Sequence, residues 1–459
     1  MKKRMGILSF LLLILGVIPC FAGYNRYGIP DSAIIRKKLI NSWFTAPINE
    51  LRGKNPEIHK NEAGINFQVR IEESASRVMI IVAPQKKLAV DVYAGSSKSA
   101  STVDVYPFDG AGSWVLTRDL DSGDPLSIKY YFAGDSDVFL EITASGAKAL
   151  ANFIIFESYG AQGVPLGIPF SRLYSASFSD VYKLTENTLP WVYTDVVPEL
   201  YYPILQMVEV IRENLPRITL TEDACYDENG LPIYISTGKE RIVSAQEIQD
   251  HRLSLSSAGF LKWVVDGLVA PVAGSNTILQ PLLVPTVEPR VGSFMDTVEQ
   301  EYDIYFSLNW TRNLAAAALS SFSGRNYYYN TSGCDVKTEP FASKIDENGA
   351  LLHSVGYLDN TGYKISDIKS LLYVLTSIEP GRFYLGAVRQ GDTSAENQPD
   401  LHFFTESVVI FPYFDTADRF NVVIFEDGKE LSLETFMAKF RDSYVHLVRV
   451  NSSERFFPE

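Results

Sequence analysis

The stretch LSLSSAGFLKWVVDGL, residues 253–268, passes from small hydroxylated residues into an apolar run that reads as a buried helix. Leu261, Val264, Val265 and Leu268 supply its apolar surface. Serine is a preferred N-cap, because its oxygen accepts a hydrogen bond from an amide left unpaired in the first turn. Ser256 and Ser257 therefore mark the helix start, and Gly259 permits close packing under a neighbouring strand. A helix N-terminus also favours negative charge, which is the field an activated nucleophile uses. On the residues alone, the serines read as caps.

The chain's 459 residues exceed one compact core and point to two domains. At the start, Lys2, Lys3 and Arg4 precede the apolar stretch Met5 to Ile18, with Pro19 and the small-residue end Cys20-Phe21-Ala22 behind it. That layout is a secretory signal peptide, residues 1–22, cleaved near Ala22 to leave a periplasmic or secreted protein. Acylation at Cys20, giving a lipoprotein, is the rival reading of the same residues. No later run has the length of a transmembrane span, so none is expected in the mature chain. Removing the three leading basic residues from the 41 Lys and Arg leaves 38 against 55 Asp and Glu, a net charge of −17. Such a surface repels phosphate backbones, so nucleic acid is not expected as a partner.

Residues 23–185 read as an all-β sandwich. Ile65, Phe67, Val69 and Ile71 alternate with polar neighbours, as do Leu88, Val90, Val92 and Ala94. Turn-forming pieces such as DSGDP and AGDSD separate the later apolar runs. Residues 186–459 mix the two periods and read as an α+β domain. Helices are expected over 198–215, 303–321 and 363–378, with a hairpin around the turn 227–230. Late strands and one more helix follow.

The order of that second domain resembles the NlpC-type branch of papain-like peptidases, which cut peptide stems in peptidoglycan. The resemblance rests on Ser256-Ser257-Ala258-Gly259-Phe260 before the apolar helix, on Glu379-Pro380-Gly381-Arg382 opening a strand, and on LHFFTESVVIFPYF, residues 401–414. It implies a papain-like fold with an insertion around 275–362. It also implies that Ser257 stands where the family has its cysteine. Arg382 replaces the aspartate of a Pro-Gly-Asp strand, and Glu406-Ser407 occupies the place of the histidine, with His402 a few residues earlier. A serine in that field stays protonated and needs an aligned base, so His402 is the candidate partner of Ser257. Without that partner, the expected function is a non-catalytic, degenerate domain that binds peptidoglycan fragments or an envelope protein. Two alternatives stay open: an active cell-wall hydrolase using Ser257 with His402, and a structural or adhesive two-domain envelope protein.

Other chemistry finds less support. Cys225 and Cys334, 109 positions apart, neither precede an apolar helix nor have metal-ligand spacing, and their pairing is open. The histidines are scattered without H-x-x-x-H spacing, so no metal and no cofactor is expected. RNYYYN, residues 325–330, with Trp310 upstream, is the candidate sugar platform. Read as a strand, it sends alternate tyrosines to opposite faces, which puts Tyr327 and Tyr329 together.

Overall fold

The computed structural model describes residues 28–94, 97–146, 148–288, 303–345, 351–392 and 401–458. The expected signal peptide and Cys20 lie outside these residues.

The first half is a β-rich unit with ten strands: β1 (Glu57–Lys60), β2 (Asn66–Glu73), β3 (Arg77–Pro84), β4 (Lys86–Ala94), β5 (Ser97–Val105), β6 (Trp114–Asp119), β7 (Pro125–Tyr131), β8 (Val138–Ser145), β9 (Lys148–Ile155) and β10 (Ser158–Pro169). Eight of them form one antiparallel sheet in the order β1-β2-β3-β6-β7-β8-β9-β10. This corrects the sandwich expectation: helical segments, not a second sheet, cover the Phe67 face. Ile35 and Leu39 of the Ala33–Leu39 helix, Trp43, Phe44, Phe170, Leu173, Phe178 and Trp191 share one core with Phe67, Val69, Trp114, Leu116 and Phe153. Phe44 lies 4.9 Å from Trp114 and Trp191 5.1 Å from Phe153, ring centre to ring centre. Period-2 patterning says only that one face is buried; it is silent on whether a sheet or a helix buries it. The alternation at Leu88 misleads more sharply. The β4–β5 hairpin stands apart from the large sheet, with Leu88 53% exposed opposite Val103 at 42%.

In the second half, β11 (Ile218–Leu220) pairs in parallel with β14 (Leu253–Leu255), while β12 (Ala224–Tyr226) and β13 (Pro232–Tyr234) form the expected hairpin. β15 (Lys344–Ile345) pairs with β16 (Leu351–His353). The main sheet contains β17 (Tyr363–Lys364), β18 (Arg382–Asp392), β19 (Leu401–Phe414), β20 (Phe420–Glu426), β21 (Lys429–Ser432) and β22 (Tyr444–Asn451), in the order β17-β22-β18-β19-β20-β21. Its strands are near-continuously apolar because both faces are covered. On one face, Val409, Phe411, Phe425 and Val448 meet the helices Ser257–Ala273 and Phe306–Ser323. On the other, Val408, Ile410, Ile424 and Leu447 meet Ile368–Ile378 and Leu433–Lys439.

Phe306–Ser323 falls inside the stretch expected to be an insertion, around 275–362, and it lies in the core. Leu308, Trp310 and Leu314 are fully buried, and the Trp310 indole donates to the Ala258 carbonyl at 2.9 Å. The helix expected from 198 begins as a 3-10 turn and becomes α-helical at Tyr202–Asn214. It buries Ile204, Met207, Val208 and Ile211 and leaves Leu205 outside.

The two halves share this core. Phe420 N–H donates to the Asp135 carboxylate at 2.8 Å, so the GDSD loop serves the junction. Ser158 and Ser370 hydroxyls meet at 2.9 Å. At the β9–β10 turn, Phe156 holds φ +44°, a conformation that costs a non-glycine residue about 1–2 kcal/mol. Its ring packs on Tyr373 and Phe420 of the second half, which offsets that cost.

The buried helix is held closest at its first turn. Ser256 is the N-cap: its Oγ accepts from Gly259 N–H at 3.1 Å and donates to the Ala224 carbonyl at 3.1 Å. A Cβ placed on Gly259 would sit 2.1 Å from that same carbonyl. Helix propensity alone favours Gly259→Ala by about 1 kcal/mol, whereas overpacking against backbone costs about 1–3 kcal/mol and wins. Gly259→Ala is therefore expected to lower the urea midpoint of unfolding. A midpoint at or above that of the parent chain would show that the helix does not press on β12.

Candidate functional site

Ser257 sits at the first helical position, one residue after the cap, and is half-buried. Its hydroxyl donates to the carboxylate of Asp427. Asp427 and Gly428 form the two-residue loop joining β20 to β21, with φ +52° and +67°. Two successive left-handed residues make a type I′ hairpin, for which Asp-Gly is a preferred pair. The Ser257–Asp427 bond thus joins the helix start to the tip of the sheet. Asp427 escaped the sequence reading, although the Asp-Gly pair between apolar strands was its visible signal.

His402 is not the partner of Ser257. On β19, Val408 pairs with Glu426, the neighbour of Asp427, while His402 pairs with Gly391 six residues further along the strand. At about 3.3 Å per residue that separation is roughly 20 Å, far beyond hydrogen-bond reach. The His402 ring lies over Gly391, its Nε2 3.4 Å from where a Cβ would stand.

Nor, among the described residues, does another base replace it. Glu406 occupies the strand position expected for histidine. Burial, followed by the charges of Asp427 and Glu426, raises its carboxyl above the usual range. Its alternation matches Val408, however, so it belongs to the Leu433–Lys439 face, opposite Ser257. Ser407 does share the helix face. It pairs with Ala387, which pairs in turn with His446. His446, on β22, lies three strands from β20, whose hairpin tip holds Ser257 through Asp427; at about 4.8 Å per strand that is roughly 14 Å across the sheet, out of reach of Ser257.

The cysteines hold no alternative nucleophile. Both thiols are free and buried; burial pushes Cys225 up to about 12 and raises Cys334 as well. No cluster of three metal-ligating side chains occurs among the described residues.

His446 belongs to a second polar assembly. Its Nε2 lies 3.3 Å from Arg312 Nη2, 3.3 Å from the Tyr357 hydroxyl and 3.6 Å from Asp335 Oδ2. A guanidinium only donates, so Nε2 accepts and the ring proton sits on Nδ1, which has no partner in its buried setting. Arg312 grips Asp335 with two nitrogens, at 2.9 and 3.2 Å. Burial favours a neutral Asp335, but the two hydrogen bonds and the charge of the Arg312 guanidinium outweigh it, and the carboxyl is held at about 2.

Above this cluster opens a cavity of about 920 Å³, lined among others by Tyr305, Arg312, Tyr329, Asp335, Asn360 and Arg389. Of the aromatic platform expected from sequence, only Tyr329 lines it. RNYYYN is not a strand: it is loop followed by the short helix Tyr329–Ser332, so the alternation argument fails. Tyr327 is half-buried beside Ser320, and Trp310 lies in the core, removed from any ligand surface. The cavity itself was illegible in sequence, because its walls come from segments more than a hundred residues apart.

Residues 25–193 match a family model described as Domain of unknown function (DUF8515). That span contains the eight-stranded sheet and its covering helices, through the Trp191 that packs on Phe153. Ser257, Asp427 and the cavity lie outside it. No curated protein and no solved structure matches the chain.

Burial lowers the His446 pKa. The unfolded chain then takes up a proton that the folded chain resists, so stability falls as pH drops below the free histidine value of about 6.5. Asp335, held near 2, keeps its contribution through that window and loses it only below about 3.8. Urea unfolding is expected to show lower stability at mildly acidic than at neutral pH, with a shallower slope in His446→Gln. Equal slopes in the two proteins would contradict a neutral, buried imidazole.

Proposed function

We propose that this chain is an exported cell-envelope protein whose C-terminal domain is a degenerate NlpC-like unit that binds peptidoglycan fragments without cutting them. The observation that carries the reading is the partner of Ser257: a carboxylate on a hairpin tip, with His402 and His446 both out of reach among the described residues. An alcohol attacks a carbonyl only if a well-placed base takes its proton, and efficient bases titrate near the working pH. A carboxylate is a weak base for that task. The position that supplies thiolate in a peptidase instead supplies a fixed hydrogen bond here.

A buried helix packed against an antiparallel sheet, with its first turn facing the tip of a sheet hairpin, supports the papain-like comparison. The open polar cavity supports binding. The export half of the reading rests on the basic-apolar-small pattern of residues 1–22.

Zymography and sedimentation with purified sacculi test the proposal together. The full chain is expected to be retained on sacculi without clearing them, and Ser257→Ala is expected to be retained within about twofold of the parent chain. Clearing that disappears in Ser257→Ala would establish the hydrolase reading instead. Absence of retention would favour a purely structural role.

A further inference from the structure

From the cavity above His446 we infer a binding site for an uncharged oligosaccharide, which deepens the proposed function by assigning ligand recognition to the glycan rather than to the charged peptide stem. Charge decides between these ligand classes. Among the described lining residues the cations are Arg312, Lys337, Arg389 and Arg449. Arg312 is gripped by Asp335, Arg449 by Glu379 at 2.7 Å, and Lys337 lies 3.3 Å from Asp359. Arg389 donates to the Thr361 hydroxyl at 3.1 Å. Glu288 adds a further carboxylate to the wall. Three of these four cations are thus paired with carboxylates of the protein, and an anionic ligand entering here would also meet the field of a strongly acidic chain.

What the cavity offers instead is a dense set of neutral and paired hydrogen-bonding groups beside aromatic rings. Asn330, Thr338, Asn360 and Thr361 line it with Tyr305 and Tyr329. Arg312 stands 5.8 Å from the centre of the Tyr329 ring and helps to fix it. Ring faces receive the C–H faces of sugars, and amides with paired carboxylates and guanidiniums match vicinal hydroxyls, which both donate and accept. A volume of about 920 Å³ lies at the upper end of the range for small-molecule sites and has room for more than one sugar ring. The buried floor of Arg312, Asp335 and His446 is fixed by its own hydrogen bonds, so these lining groups need little reordering on binding.

The test is calorimetric titration of the full chain with chitotetraose, an uncharged N-acetylglucosamine tetramer, with cellotetraose and the anionic tetragalacturonate as comparisons. Saturable chitotetraose or cellotetraose binding is expected, little changed between low and high salt. Tyr329→Ala is expected to weaken it by about tenfold or more, as is Asn360→Asp, which keeps a residue tolerant of the left-handed φ of +50° there. Ser257→Ala should leave it unchanged. Lack of binding to either neutral tetramer, binding that survives both cavity variants, or salt-sensitive preference for tetragalacturonate would each overturn the inference. If the parent chain and both variants are retained equally on sacculi, the assignment of this cavity fails while the wider binding proposal stands. If the parent chain is not retained, the binding proposal itself fails, and the titration still decides whether the cavity takes a neutral glycan.

Discussion

The backbone carbonyl of Ala224 takes two hydrogen bonds from Ser256, one from its amide at 2.9 Å and one from its hydroxyl at 3.1 Å, and lies against the Cα of Gly259. These contacts fix where the central buried helix begins, and Ser257 then ties that beginning to the β20–β21 hairpin. From this start the helix runs between the β12–β13 hairpin, the Phe306–Ser323 helix and the main sheet, burying Phe260, Leu261, Val264, Val265 and Leu268. Each such side chain is worth about 1.5–3 kcal/mol when removed from water, but only in one register. The first turn sets that register.

The same constraint shapes the chemistry. A hydroxyl at a helix N-terminus next to a sheet is in the right place for a nucleophile, yet it is bonded to a carboxylate that cannot do the work of an imidazole. His446, buried on β22, belongs instead to a polar cluster with Arg312 and Asp335 beneath the open cavity. Placement of the polar groups thus separates the helix start, where Ser257 is bonded to Asp427, from the cavity, for which ligand recognition is proposed.

Much of the helix start was legible in sequence, because capping and close packing are local: Ser256 and Gly259 stand within one turn of the positions they serve. The hairpin at 227–230 and the helix at 306–323 were legible for the same reason. The nature of the first domain was not, since alternation at Phe67 and Val69 reports burial and leaves the covering element open. Trp310 and Tyr327 were misplaced because aromatic residues read alike in a core and on a platform. Asp427 and His446 reach their partners across 170 and 134 positions, distances at which spacing carries no signal.

On the proposed function Ser257 is a structural alcohol and not an activated one. The most direct measurement is intact mass and peptide mapping after treatment of the folded protein with a fluorophosphonate, which labels serines activated by a base. Ser257 is expected to remain unmodified at neutral pH, in the presence and absence of sacculi. A stoichiometric adduct on Ser257, lost on unfolding the chain beforehand, would contradict it.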